Sequence, residues 1–370
     1  MSNLPLVLAI DTSCDDTAAA VVQGVQIRSN IIASQTELHK PYGGVFPTVA
    51  KQAHSEHIQP AVQLALKRAG VTADQLTAIA VTKGPGLAPA LEVGITYASA
   101  FALTHRKPLI AVNHIEGHIL SVLAEPWRKN SVPHSVAPPL PVLGVVISGG
   151  HTLFVLVHEI GSYQIIGSTL DDAAGECLDK IGRMLNLGYP AGPVIEQFAK
   201  LGNPLSYPFP LPMTTDKRPN LSFSGLKTHA RKLITNLQAK QQPLPQQVVY
   251  DLCASTQRGV FRHIQYKLSP VLNLYSPKEV WLGGGVAANS TLRATLKRTI
   301  SEVLPGSSLR VPYSKKLCAD NAAMIGVVAS LRIQAHKASY TQNPDREPRM
   351  KLESNPPAVA LDTSPYIDAR

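Results

Sequence analysis

The first side chains in this sequence that can act together are the imidazoles of His114-Ile-Glu-Gly-His118. If helix runs from His114, the i, i+4 spacing puts both rings on one face, where they can chelate a divalent transition metal. Two ligands do not complete a site, and an isolated pair of this spacing also reads as surface or satisfied core histidine. The zincin pattern requires Glu directly after the first His; Ile115 stands there and Glu116 points elsewhere, so the protease pattern is not met. A third ligand should be an acidic residue at the end of an element across a cleft. Asp320, in Cys318-Ala-Asp-Asn-Ala-Ala-Met-Ile, fits: Asp-Asn ahead of an apolar, small-residue run marks a helix start. A plain N-cap is the alternative.

Two further stretches are chemically distinctive. Leu170-Asp-Asp-Ala-Ala-Gly-Glu-Cys-Leu-Asp-Lys180 brings four acids together, and on a helix Asp172, Glu176 and Asp179 share a face. That face suits a solvated stripe, a magnesium site or a binder of ribose hydroxyls. Val280-Trp-Leu-Gly-Gly-Gly-Val-Ala-Ala-Asn289 reads as a strand and a glycine turn, with Asn289 opening a helix. Backbone can approach a nucleotide closely there, although the GxGxxG spacing is missing.

The elements that must position these residues are announced by an internal repeat. Residues 7–22 match residues 142–157 without gaps, at a constant offset that aligns Ser13 with Ser148. Each copy reads as an apolar strand, a small polar turn and a second strand, followed by a third strand near Val25–Ile32 and Tyr163–Ile166. Turns rich in Ser, Gly and Thr offer amides and hydroxyls to an anion. Two similar meanders predict two related α/β lobes, 1–130 and 140–335. Between the copies, helices are expected from about Ser55 to Ala69 and from about Ala88 to Leu103, the second after the Lys83-Gly-Pro-Gly-Leu turn. The proline-rich segment 126–141 reads as the connector, and residues 342–370, polar and proline-rich, as a flexible tail.

Composition narrows the class. The chain has 370 residues, 44% hydrophobic and 16% charged, which excludes disorder and favours two buried cores. No apolar run is long enough for a membrane span and Leu4–Ile10 lacks a basic flank, so the expected setting is the cytoplasm. The four cysteines form no CxxC pair, which argues against a cysteine zinc site or a disulfide framework. The net charge of +10 arises in the second half, and Lys217 to Tyr250 holds six basic residues and no acid. A solvated basic face and a polyanion partner both account for that stretch.

Taken together, the motifs resemble those of the tRNA N6-adenosine threonylcarbamoyltransferases, TsaD in bacteria, formerly labelled O-sialoglycoprotein endopeptidases. The resemblance spans about residues 6–335. It rests on DTSCDDT (11–17), YGGVFP (42–47), GPGL (84–87), HIEGH (114–118), SGGHT (148–152), DDAAGE (171–176), FSGLKT (223–228), GGGVAAN (283–289) and CADNAAMI (318–325). It implies an α/β fold with two actin, sugar-kinase and Hsp70-like lobes around a central nucleotide-binding cleft. It implies that His114, His118 and Asp320 bind one metal ion, Fe(2+) or zinc, and that Asp15 or Asp16 is catalytic. Threonylcarbamoyl-AMP would be bound by Val146, Ile147, Ser148, Gly149 and Gly150, and by Asp179, Gly192, Glu196 and Asn289. The implied acceptor is the adenosine after the anticodon in tRNAs reading ANN codons, with TsaB-like and TsaE-like proteins as partners. Asp11 and Asp16 stand where Glu is common in the family, and Thr48 and Lys51 replace a frequent Glu and Arg. A small-molecule kinase of the same superfamily would use similar hairpins for ATP but has no use for HIEGH; a metalloprotease would need a base beside a metal-bound water.

Overall fold

A computed structural model describes residues 4–128 and 138–352. The described residues divide into two units, one formed by 4–128, Pro138 and 311–352, the other by Pro139–Arg310.

The first unit opens with the meander β1 (Leu6–Asp11), β2 (Asp16–Gln23) and β3 (Gln26–Ser34), all antiparallel. The short helix α1 (Thr36–His39) leads to α2 (Pro47–Ala69), which starts on a proline that needs no N–H partner and ends at Gly70, left-handed at φ 66°. Strand β4 (Ala78–Gly84) pairs parallel with β1; α3 (Ala88–Thr104) then returns the chain to β5 (Leu109–Asn113), parallel to β4. Helix α4 (His114–Leu120) follows at once, and the two-residue β6 (Glu125–Pro126) closes the edge beside β3. Helices α2 and α3 bury Ile58, Val62, Leu91 and Ile95 against Leu8, Ile10, Ile79 and Val81 of the sheet. The central strands read as unbroken apolar runs because they are covered on both faces.

The second unit repeats this plan with β7 (Val142–Ile147), β8 (Thr152–Glu159) and β9 (Ser162–Ser168). Helices α5 (Ala174–Met184), α6 (Gly192–Ala199), α7 (Ser224–Lys240) and α8 (Gln246–Tyr275) come next. Strand β10 (Glu279–Gly283), helix α9 (Ser290–Val303) and β11 (Ser308–Arg310) complete it. The repeat seen in the sequence is a repeat of register: Val7 faces Val22 and Val142 faces Val157, and the rungs beyond keep the same correspondence. The core strand order is also shared, β5-β4-β1-β2-β3 in one unit and β11-β10-β7-β8-β9 in the other.

The chain then rejoins the first unit through α10 (Ala322–Gln334) and β12 (Tyr340–Thr341), the latter antiparallel to β5. This corrects the sequence-based boundary, which left residues up to 335 in the second lobe. Small residues bring α10 onto the face of the sheet opposite α2 and α3: a Cβ on Gly326 would stand 2.7 Å from Val22 and 3.2 Å from Ala9. The expected flexible tail is corrected in part as well. Residues 342–352 form a strap over the Lys83–Gly86 turn, where Glu347 N donates to Lys83 O (2.9 Å) and Gly86 N to Pro348 O (3.2 Å). A Cβ on Gly84 would lie 1.9 Å from the Glu347 carbonyl oxygen, so only glycine admits the strap there. Residues 353–370 of the tail and 129–137 of the connector lie outside the described residues. Among the described residues, no helix is long and apolar enough to cross a membrane.

Candidate metal centre and nucleotide turns

Asn113, the last residue of β5, caps α4: its Oδ1 accepts from Ile115 N (2.8 Å) and Glu116 N (3.4 Å). The cap fixes His114 as the first helical residue, and His118 follows one turn later, with ring centroids 4.6 Å apart. At the other end of the chain the Asp-Asn pair divides its labour. Asn321 is the cap of α10, accepting from Met324 N at 3.1 Å, and Asp320 stands one residue ahead of the cap. Its Oδ1 lies 3.5 Å from His114 Nε2 and 3.3 Å from His118 Nε2. One ligand atom from each of the three residues falls within 4.8 Å of the others. All three residues belong to the first unit, rather than facing one another across two lobes.

The donor set fits a divalent transition ion: two imidazole nitrogens and one carboxylate oxygen converge, leaving further positions open. The His118 ring is fully buried and neither nitrogen makes a hydrogen bond within the protein, Nε2 having only the Asp320 carboxylate beside it at 3.3 Å. A buried polar ring that makes no hydrogen bond is costly unless something else takes its lone pair. The surrounding charge points the same way. Asp11, fully buried, has its Oδ1 4.0 Å from His114 Nδ1, and burial, then the charge of Asp320, push its pKa up to about 7. Burial also raises Asp15, and it pushes Asp16 up to about 6, with Ser34 opposing and Asp15 and Asp320 adding to the rise. A cation beside Asp320 would relieve this mutual repulsion.

Packing keeps the two ligand-bearing segments together. Gly117 lets α4 close on α10, where an added Cβ would stand 3.1 Å from Met324 and Ile325. Glu116, between the two histidines, is fully buried and takes two hydrogen bonds from Arg332 of α10, Nε to Oε1 at 3.0 Å and Nη2 to Oε2 at 2.6 Å.

The second unit gathers the residues assigned to the nucleotide. Val146 and Ile147 end β7 and are buried, and the turn after them is closed by Ser148, whose N donates to His151 O (2.8 Å) and whose Oγ accepts from His151 N (3.0 Å). Gly149 and Gly150 at its tip are exposed, with open space where a Cβ would stand. Gly175 of α5 packs on the Ser148 carbonyl and Gly284 on the Ile147 carbonyl, at distances (2.6 and 2.4 Å from an added Cβ) that exclude any other residue. Asp179 Oδ1 accepts from Ala191 N (2.8 Å) and Gly192 N (3.2 Å), joining α5 to the start of α6. Glu196 Oε1 accepts from Ser290 N (2.8 Å) and Ser290 Oγ (2.5 Å), joining α6 to α9. Asn289 caps α9 through Leu292 N (3.0 Å) and donates to Gln257 Oε1 (2.8 Å). Hairpin turn, α5, α6 and α9 are thus one connected cluster.

Not every expectation for the acidic and basic stretches holds. Helix α5 begins only at Ala174, so Asp171 and Asp172 precede it and Asp172 does not share a helical face with Glu176 and Asp179. Asp172 pairs instead with Lys180 (2.7 Å) and Lys227, and Asp171 accepts from the amides and hydroxyls that open α7. Two members of the basic stretch are therefore engaged within the protein, Lys227 with Asp172 and Arg218 with Asp216 (2.8 Å), while Lys217, Arg231, Lys232 and Lys240 are exposed. Sequence reasoning missed Asp11 as a neighbour of His114. Its signal was a lone carboxylate at the carboxyl end of an apolar strand, the place where open α/β sheets carry function.

A family model described as TsaD: tRNA N6-adenosine threonylcarbamoyltransferase matches residues 26–327. The chain belongs to this family. A curated relative so named from Enterococcus faecalis is 42% identical over 341 residues, covering 91% of this chain and 93% of its own. Another from Thermosynechococcus vestitus is 42% identical over 349 residues, with 92% of both chains covered. Among solved structures, HypF of T. kodakarensis superposes with a TM-score of 0.58 at 14% identity over 90% of this chain. The chain spans about half of HypF's length (48%), and the likeness shows the fold alone. What the two chains share is a mixed α/β fold.

Proposed function

We propose that this chain transfers the threonylcarbamoyl group of threonylcarbamoyl-AMP to N6 of the adenosine that follows the anticodon in tRNAs reading ANN codons. Family membership supports the reaction, and the observation that carries its site is the convergence of His114, His118 and Asp320 within 4.8 Å. These three residues would hold one divalent ion, Fe(2+) in our reading with zinc the alternative, which supplies Lewis-acid charge for an anhydride or phosphate oxygen. The remaining steps fall to the chain's own groups. The donor is a mixed anhydride and already activated, so the protein mainly positions it and stabilises developing charge. The amides of the Ser148-Gly149-Gly150 turn receive the phosphate; Asp179, with Gly192, receives the ribose; Glu196 and Asn289 shape the adenine side at the start of α9. The N6 amine attacks the carbamoyl carbon, a C–N bond forms, the C–O bond to AMP breaks, and AMP leaves with the electron pair. Asp15 or Asp16 accepts the proton lost by the amine.

The acceptor is a polyanion, and the exposed Lys217, Arg231, Lys232 and Lys240 form its phosphate footprint. TsaB-like and TsaE-like proteins are the partners we expect, in the cytoplasm. The test is single-turnover transfer from purified threonylcarbamoyl-AMP to tRNA by metal-loaded protein with these partners. The expected result is transfer by the wild type and loss in the His114→Ala, His118→Ala double variant. Wild-type rates in that variant would remove the metal from the reaction, and a wild type that transfers nothing would remove the reaction itself.

A further inference from the structure

Behind the turn that carries Asp15 and Asp16 lies a row of buried polar side chains that the reaction above does not use. Thr17, Gln35, His39 and His54 are all inaccessible to solvent. They are joined end to end. Phe46 N donates to His39 Nδ1 (3.3 Å), and His39 Nε2 meets Gln35 Oε1 (3.2 Å). Gln35 Nε2 donates to Thr17 Oγ1 (3.4 Å), Thr17 Oγ1 meets His54 Nδ1 (2.8 Å), and His54 Nε2 meets Cys14 O (3.1 Å).

The two ends of this row fix every proton in it. At one end the Phe46 amide can only donate, so His39 Nδ1 accepts and the ring's hydrogen sits on Nε2, pointed at the Gln35 carbonyl oxygen. At the other end the Cys14 carbonyl can only accept, so His54 carries its hydrogen on Nε2 and accepts at Nδ1 from the Thr17 hydroxyl. The Thr17 oxygen then accepts from the Gln35 amide, and assignments begun at opposite ends meet without conflict. Burial lowers the pKa of His54, consistent with a neutral ring. The row is one directed chain of five hydrogen bonds, and such chains strengthen their members and tolerate no reversal. It begins at the YGGVFP segment and ends on the turn Cys14-Asp15-Asp16. Gln35 grips that turn a second time, its backbone N donating to Asp15 O at 3.2 Å.

We propose that His39 and His54 are positioning residues for the proposed reaction: through this single directed chain they hold the Cys14–Asp16 turn, and thereby the Asp15 and Asp16 carboxylates, in place for proton transfer. The assignment rests on the reading of the reaction given above. It gives a role to two histidines that touch neither the proposed metal ligands nor the nucleotide turns.

The test breaks the chain at its middle without changing its shape. Thr17→Val keeps the volume of the side chain and removes the hydroxyl; Thr17→Ser keeps the hydroxyl. In single-turnover transfer by the full-length, metal-loaded protein with its partners, Thr17→Val should lose about 10- to 100-fold in rate, the scale on which a misplaced catalytic group acts. Half-saturation by threonylcarbamoyl-AMP and the bound Co(2+) per chain should stay at wild-type values, and Thr17→Ser should recover the rate. Wild-type rate in Thr17→Val overturns the assignment alone, as does a loss shared with substrate affinity or one that Thr17→Ser does not rescue. A wild type that transfers nothing overturns the reaction and this assignment together. Should Thr17→Val fail to fold, the exposed end of the chain serves: Phe46→Pro removes the amide hydrogen, Phe46→Ala keeps it, and only the proline variant should lose rate. Equal behaviour of the two overturns the proposal. Independently of activity, 15N spectra of histidine-labelled protein should show His39 and His54 as neutral Nε2–H tautomers, and any other tautomer at either ring overturns the chain as drawn.

Discussion

Deleting one partner of the Glu116–Arg332 pair should harm this protein far more than deleting both. The side chains are 0% and 8% exposed and share two hydrogen bonds of 3.0 and 2.6 Å, so neither charge has water to fall back on. Glu116→Leu leaves a guanidinium buried without its counter-ion, and breaking a buried pair in this way costs about 3–5 kcal/mol. For a unit of this size each kcal/mol moves the melting temperature by about 2–4 °C, which places the loss at about 6–20 °C. Arg332→Met strands the carboxylate instead and should cost a similar amount. The double variant Glu116→Leu, Arg332→Met removes both charges of the pair together; replacing a whole pair by apolar groups is commonly neutral or stabilising, so it should melt close to the wild type. The pair ties the helix of His114 and His118 to the helix that follows Asp320. Each single variant should therefore also weaken Co(2+) binding, by about 10- to 100-fold, as loss of supporting residues does at other metal sites. Calorimetric melting of the four proteins, with Co(2+) titrations alongside, reads both effects. Single variants that melt within about 2 °C of the wild type, or a double variant as unstable as either single, would refute the reasoning.

The acid side of the stability profile should report on two groups in the second unit. Burial alone would raise the pKa of Asp171, but hydrogen bonds from the Ser222 and Ser224 hydroxyls and the Phe223 and Ser224 amides outweigh it and hold the carboxyl below its ordinary value. Its contribution is complete above the unfolded pKa of about 4 and is lost as pH falls through the lower folded value, so Asp171→Asn should raise the midpoint of acid unfolding. His263 is buried, its Nε2 accepts from Ser222 N (3.1 Å), and burial, then the charge of Lys267, bring its pKa down to about 4. The unfolded chain takes up this proton first, so stability should fall by about 3 kcal/mol between about pH 6.5 and pH 4, and urea titrations of His263→Gln should lack that slope. Replacing Arg231 and Lys232 by alanine should lower the steepness of log affinity for tRNA against log salt by about two; an unchanged slope removes them from the footprint.

What was legible in the sequence was what short-range pattern controls. The matched hairpins were visible because apolar alternation and turn residues recur together, and the two ladders pair in the same register. The i, i+4 histidines were visible because a capped helix follows β5 directly. Long-range packing was not. Nothing near residue 320 announces that Gly326 seats α10 against Ala9 and Val22, which is what returns Asp320 to the histidines. The strap at 342–352 looked loose because its anchors are main-chain bonds to Lys83 and Gly86, which leave no mark on side-chain pattern. Asp172 was read as sharing one helical face with Glu176 and Asp179 because the three positions are spaced by helical turns. The backbone turns in only at Ala174, where Glu176 reaches back to Ala173 N (3.4 Å).

The return of α10 to the first unit has a bearing on how this protein is born. On a ribosome, β1 to β5 and both histidines emerge early, yet the helix that covers the other face of their sheet, and the carboxylate that joins them, are translated only after β7 to β11 of the second unit. Among the described residues, the inserted unit is complete in the nascent chain before the unit that surrounds it in sequence, so the usual amino-to-carboxyl order in which domains are completed is inverted here. Until then the sheet face around Ala9 and Val22 lacks the helix that packs on it, and the histidines lack Asp320. The cluster of His114, His118 and Asp320 accordingly assembles only once the second unit has been made.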